Sequence, residues 1–102
     1  MKKYFAQMTV GLLLSAAMGT AAFAENLKIG MIVTLSGPPA ALGQQIVDGF
    51  QLALDEKGGM LGGQKVELIV EDDELKPDVA LLKATSLIKR DEVDFVVGTV
   101  FS

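Results

Sequence analysis

Residues 27–59 read LKIGMIVTLSGPPAALGQQIVDGFQLALDEKGG, and this stretch decides the fold. Apolar residues alternate from Leu27 to Leu35, and some intervening positions are apolar too, which predicts a strand buried on both faces. The segment Ser36–Pro39 ends the strand, because proline cannot donate to a sheet ladder and glycine permits a sharp reversal. A strand that leads through a small turn into a helix is half of a βαβ unit. In open parallel sheets, such turns at the carboxyl ends of strands are where ligands bind.

The apolar period changes at Ala40 and becomes helical. Gly58 and Gly59 supply the stop, since glycine adopts the left-handed conformation at a helix end without a Cβ clash. The spacing therefore predicts a helix from Ala40 to about Lys57. Its predicted buried face consists of Leu42, Ile46, Phe50, Ala53 and Leu54.

The first 24 residues have the layout of a secretory signal peptide. Residues 1–3 are basic, residues 10–17 are largely apolar, and Ala22-Phe23-Ala24 is an A-x-A pattern followed by Glu25. The alternative is a membrane anchor, for which the apolar stretch is short and interrupted by polar residues. We expect export to the periplasm, with cleavage after Ala24.

Composition narrows the classes of function. The net charge is −4, and removal of Lys2 and Lys3 with the leader makes the remainder more acidic, which argues against nucleic acid or an anionic membrane as partner. The sequence contains no cysteine and no histidine, so it lacks the commonest thiolate nucleophile, the commonest general base and the usual zinc ligands. The glycines do not form a phosphate-binding motif. We expect a binding function with no catalysis, no cofactor and no metal.

The remaining chain continues the alternation of strands and helices. The patterns predict a turn at 60–65, a strand at 66–70, a helix from Pro77 to Arg90 and a strand at 93–97. The predicted buried face of this helix consists of Val79, Leu82, Ser86 and either Leu87 or Ile88. The fold class is therefore α/β, a parallel sheet flanked by helices. Residues 25–102 are few for such a domain, which usually needs about 100 residues or more, so we expect the opening part of a longer protein.

The acidic run from Glu71 to Glu74 has three interpretations. Clustered carboxylates could bind a divalent cation. The run also resembles the first strand and acidic pocket of a response-regulator receiver domain, in which a pair of acids holds magnesium beside a phosphoacceptor. A preceding leader and strand-helix unit, together with Pro77, argue against a receiver. The interpretation we favour is a solvated strand end and loop.

Hydroxyl residues follow two of the predicted strands. Thr34 and Ser36 lie at the end of the first strand, and Thr99 and Ser102 lie beyond the end of the third. If the strand order is 2-1-3, these two loops are neighbours, and their hydroxyls and backbone amides could hold a carboxylate. The alternatives are that Ser36 only forms a turn and that Ser102 only caps a helix.

Several of these segments resemble the opening of type I periplasmic binding proteins, in particular the leucine/isoleucine/valine-binding family that serves ABC importers. The similar segments, in chain order, are 27–30, 34–38, 40–43, 48–50, 58–63, 71–73, the helix at Pro77 and 93–98. The resemblance implies two α/β lobes that close on a small ligand, of which residues 25–102 supply the start of lobe 1.

The resemblance also implies ligand-binding residues. It assigns the ligand's carboxylate to Ser102, with Thr99, Val100 and Phe101 lining the same loop, and it places Ser36 and Gly37 in the loop after the first strand. Many family members carry an aromatic residue where this sequence has Pro39, so a branched-chain amino acid and an aromatic or other small organic acid both remain open as ligands. The implied partner is an ABC permease in the inner membrane. The alternative is a periplasmic ligand-sensing domain of a signalling system.

Overall fold

The computed structural model describes residues 26–101, so the predicted signal peptide and Ser102 lie outside the described residues. The elements in chain order are β1 (Leu27–Val33), α1 (Ala40–Glu56), β2 (Met60–Leu61), β3 (Gln64–Asp72), α2 (Pro77–Lys89) and β4 (Phe95–Gly98).

The four strands form one sheet in the order β2-β3-β1-β4. Strand β1 pairs in parallel with β3 on one side and with β4 on the other, with Val33 opposite Asp72 and Ile32 opposite Gly98. The α/β class and the order of the three long predicted strands are confirmed. Because β1 is central, the loops that follow β3 and β4 lie on either side of the loop that follows β1.

The prediction of a plain turn at residues 60–65 is wrong. Strand β2 pairs antiparallel with the start of β3, and Gly62 and Gly63 connect them with φ angles of 57° and 79°. Two consecutive residues with positive φ make a tight hairpin turn, which glycine allows without strain. The hairpin also moves the start of β3 to Gln64, ahead of the predicted Val66.

Strand β1 forms the centre of the core. Ile29, Met31 and Val33 are buried on one face and Ile32 on the other, as the apolar run predicts. Gly30 shares the face of Ile32 and is covered by Leu87 of α2. A Cβ at Gly30 would lie 2.8 Å from Cδ1 of Leu87, so the absence of a side chain at Gly30 allows α2 to pack closely against β1.

Helix α1 buries only part of its predicted face. Leu54 is buried and Phe50 is half-buried as predicted, and both lie on one stripe with buried Gly43. In contrast, Leu42 and Ile46 are 49% and 41% exposed, and Ala53 is also exposed. The cause is Gly43, because a Cβ there would overlap the carbonyl oxygen of Thr34. The helix crosses the end of β1 so closely that only a residue without a side chain fits.

Helix α2 begins at Pro77 with Asp78 in its first turn and ends at Lys89, which confirms the predicted start and polarity. Its buried face is only partly as predicted. Leu87 is fully buried, whereas Leu82 is 69% exposed and Ile88 is also exposed. Leu87 is the buried leucine because it packs on Gly30, whereas Leu81 and Leu82 are each 69% exposed. Between residues 26 and 101, neither helix combines the length and apolar character needed to cross a membrane.

Candidate functional site

Three loops meet at the carboxyl edge of the sheet. We refer to residues 34–39 as the β1–α1 loop, residues 73–76 as the β3–α2 loop, and residues 99–101 as the segment after β4. Gly98 approaches the backbone of β1 so closely that a Cβ would overlap the carbonyl oxygen of Ile32. The segment after β4 therefore starts directly beside the end of β1, as the predicted strand order requires.

The two candidates in the β1–α1 loop are exposed. Gly37 has a φ of 74°, and its carbonyl oxygen accepts a hydrogen bond of 3.1 Å from the amide of Ala40, the first residue of α1. Ser36 precedes it, with its side chain close to the carboxylate of Asp72. Ser36 and Gly37 thus lie in the connection between β1 and α1, and both are accessible at the edge of the sheet.

The candidates after β4 differ in exposure. Thr99 and Phe101 are exposed and Val100 is half-buried. The hydroxyl of Thr99 donates a 2.8 Å hydrogen bond to the carbonyl oxygen of Phe101, which curls the segment on itself. A threonine hydroxyl has a single proton, so in this arrangement Thr99 offers only acceptor lone pairs to a ligand.

An open groove of about 340 Å³ lies between the segment after β4 and the start of α2. Thr99 and Phe101 line it, whereas Ser36, Gly37 and Val100 do not. The other lining residues are Asp73, Leu75, Lys76, Pro77 and Ala80. Lys76 contributes a cationic residue to a lining that is mostly apolar, which suits a small organic anion. Sequence reasoning missed Lys76 and Leu75, although their position between a strand end and Pro77 was a usable signal.

The interpretation of the acidic run as a solvated loop is wrong for Asp73. Asp73 as a whole is 6% exposed, and its Oδ1 accepts hydrogen bonds from the hydroxyl of buried Thr34 at 2.7 Å and from the amide of Leu75 at 2.8 Å. A buried carboxylate is tolerated when such donors satisfy it. Asp73 therefore ties the end of β3 to the end of β1.

Asp72 makes a second link between the same two strands. Its Oδ1 accepts hydrogen bonds from the amides of Leu35 at 2.8 Å and Glu74 at 2.9 Å. Partial burial on its own would raise the pKa of Asp72. The amides of Leu35 and Glu74, the Ser36 side chain and the positive charge of Lys83 outweigh that effect and lower the pKa below its usual range.

Glu71, the first acid of the run, forms an ion pair with α2. A carboxylate oxygen of Glu71 lies 3.2 Å from the ammonium nitrogen of Lys83. Across residues 26–101, no three acidic side chains cluster closely enough to form a metal site. The structure thus assigns Asp72, Asp73 and Glu71 to contacts within the protein.

A model of the periplasmic binding protein family matches residues 26–102. A Leu/Ile/Val-binding protein of Rhizobium johnstonii is 41% identical over 102 residues, which cover 93% of this chain and 27% of that protein. The chain spans about a quarter of the length of the curated relatives it matches.

Two solved structures show the same local fold. The solute-binding protein of an ABC transporter from R. palustris, in complex with benzoate, is 37% identical with a TM-score of 0.71, over 74% of this chain and 21% of that one. The branched-chain amino acid transporter substrate-binding protein LivJ from Streptococcus pneumoniae, in complex with isoleucine, is 33% identical with a TM-score of 0.66, over 72% of this chain and 22% of that one.

Proposed function

Because the chain belongs to the periplasmic binding protein family, we propose that it forms the first part of lobe 1 of a solute-binding protein that serves an ABC importer. In this proposal residues 1–24 direct export and are removed after Ala24, and residues 25–102 begin the lobe. The relatives named above are a Leu/Ile/Val-binding protein and two solute-binding proteins of transporters, which supports a binding function and disfavours the magnesium-dependent receiver domain.

The observation that carries the proposal is the pairing of β1 with β4, which brings two loops that contain hydroxyl residues to one edge of the sheet. Ser36 and Gly37 come from one loop and Thr99, Val100 and Phe101 from the other, with Ser102 next in the chain. We assign the ligand's carboxylate to the hydroxyl of Ser102 and nearby backbone amides, since such donors can hold an anion without a basic side chain.

The solute is a small carboxylate with an apolar body. Isoleucine and benzoate, the ligands of the two structural relatives, have only these two features in common. The exposed ring of Phe101 and the apolar side chain of Leu75 provide contacts for the body. The family resemblance implies an aromatic residue at the position of Pro39, so both amino acids and aromatic acids stay candidates.

The mechanism is closure of two lobes on the solute. Hinge closure around a ligand converts binding into a change of shape that an ABC permease in the inner membrane can recognise. No bond is made or broken, so the binding loops need only hydrogen-bond donors and apolar contacts. A periplasmic sensor domain would use the same closure but would pass its signal to a regulator instead of a permease.

Calorimetric titration of the complete mature protein, freed of bound ligand, tests the proposal. One set of solutes contains leucine, isoleucine and valine, and the other contains benzoate and short-chain carboxylic acids. Binding in the first set assigns the protein to amino acid import despite Pro39, and binding only in the second assigns it to organic acids. No binding in either set would contradict the proposed solute class and favour the sensor.

A further inference from the structure

We propose that Asp72 is a positioning residue for ligand binding, which holds the β1–α1 loop in its binding conformation through the amide of Leu35. This inference rests on the proposed function, because it assumes that Ser36 and Gly37 contact the solute. Asp72 is the last residue of β3, and in this proposal it acts on the solute only through the β1–α1 loop.

The geometry explains why a side chain is needed at this place. The last backbone bond between β1 and β3 runs from the amide of Asp73 to the carbonyl oxygen of Val33 at 3.0 Å. The chain then turns away, and the carbonyl oxygen of Asp73 accepts the amide of Lys76 at 2.9 Å. The carboxylate of Asp72 takes the place of a ladder acceptor and binds the amide of Leu35 at 2.8 Å.

The same carboxylate oxygen is itself held in place. It also accepts the amide of Glu74 at 2.9 Å, and Glu74 has a φ of 54°, a conformation that few residues other than glycine adopt. The β3–α2 loop is therefore wrapped around Asp72. Two amides from two different loops converge on one oxygen, so the carboxylate fixes the position of one loop relative to the other.

Ser36 is the first residue beyond this anchor. Thr34, two residues earlier, is fixed by its hydrogen bond to Asp73 and by the close approach of Gly43. The amide of Leu35 is fixed by its hydrogen bond to Asp72. The side chain of Ser36 also lies near the Asp72 carboxylate. In the described part of the β1–α1 loop, the hydrogen bonds that restrain residues 35–37 from the side of β3 go to Asp72.

An anchored loop favours binding because its conformational entropy is lost on folding and not when the solute binds. Ordering a flexible loop consumes part of the binding free energy, and preorganisation avoids that cost. We expect Asp72→Ala to weaken solute binding by about tenfold, which is close to the lower limit for a lost hydrogen bond to a charged group. Asp72→Asn retains a carbonyl oxygen for the two amides, so its affinity should stay within about threefold of wild type.

The test uses the complete mature protein and two probes, isoleucine and benzoate, with affinity measured by titration calorimetry. Hydrogen exchange at the Leu35 amide is measured in parallel and should become faster in Asp72→Ala but not in Asp72→Asn. Glu67→Ala removes an exposed carboxylate from the same strand and should change neither quantity. Asp72→Glu keeps the charge but displaces the carboxylate by one methylene, and it should weaken binding even if the alanine variant does not fold.

The outcomes separate the two proposals. Failure of the wild-type protein to bind the two probes and the other solutes of both sets refutes the proposed solute class, and this inference with it. Wild-type binding with equal affinities for wild type, Asp72→Ala and Asp72→Glu refutes only the positioning role. Equal losses in the Asn and Ala variants would also overturn it, because the charge and not the hydrogen-bonding geometry would then be responsible.

Discussion

Replacing Thr34 by valine removes a buried hydrogen bond at the centre of the candidate site. Thr34 is 0% exposed, and its hydroxyl donates to the carboxylate of Asp73 at 2.7 Å. Valine has nearly the same shape, so the loss of the bond dominates the effect. A hydrogen bond to a charged group contributes about 1.5–3 kcal/mol, and we expect the free energy of unfolding to fall by about 2 kcal/mol.

The assay is urea unfolding of the complete mature protein, followed by circular dichroism. Thr85→Val is the matched control, because the hydroxyl of Thr85 donates a bond of 2.8 Å to the carbonyl oxygen of Leu81 on an exposed face of α2. That substitution should change the stability by less than about 0.5 kcal/mol. Thr34→Ser, which keeps the hydroxyl, should recover part of the loss.

Equal effects of Thr34→Val and Thr85→Val would refute the reasoning. Such a result would mean that Asp73 finds another hydrogen-bond donor when the hydroxyl is removed, so that the carboxylate does not depend on Thr34. A loss in Thr34→Ser as large as that in the valine variant would also contradict it, since the hydroxyl would then not be the stabilising group.

Three further predictions concern the site, the core and pH. Ser102→Ala should weaken solute binding by about 1–3 kcal/mol in calorimetric titration, and unchanged affinity in a folded variant would reduce Ser102 to a helix cap. Leu87→Ala should lower the free energy of unfolding in urea by about 2–5 kcal/mol, whereas exposed Leu81→Ala should change it little. Folding lowers the pKa of Asp72, so its ionised carboxylate contributes its full stabilisation above the unfolded-state pKa of about 3.9. That contribution is lost as the pH falls through the lower pKa of the folded state. The stability difference between wild type and Asp72→Asn should therefore shrink as urea unfolding is repeated at decreasing pH, and a difference that does not change would contradict the assigned pKa.

Periodicity predicted the elements well but only part of the buried face of each helix. Leu42 and Ile46 marked the apparent apolar face of α1, yet the contact with the sheet is centred on Gly43. A hydrophobic pattern is defined by apolar side chains, whereas close packing at Gly43 requires that no side chain be present. The same holds for α2, where the position of Gly30 in β1 selects Leu87 as the buried residue.

The candidate site shows the same division between prediction and structure. The adjacency of the loops after β1 and β4 follows from the strand order, so Ser36 and Thr99 could be proposed without coordinates. The roles of Asp72 and Asp73 could not, because a run of acids usually marks a solvated loop. Only the structure shows that each carboxylate accepts donors from the end of a neighbouring strand.

By itself the sequence determined the class of fold, the order of its elements and the family resemblance, because these depend on local periods, turn residues and their spacing. The tertiary structure decided which side of each helix is buried, how the Gly62-Gly63 turn starts β3 and which acids are satisfied internally. These features depend on contacts between residues far apart in the chain. A local pattern contains no information on how closely two such segments approach, and at Gly43 and Asp73 that distance determines the role of the residue.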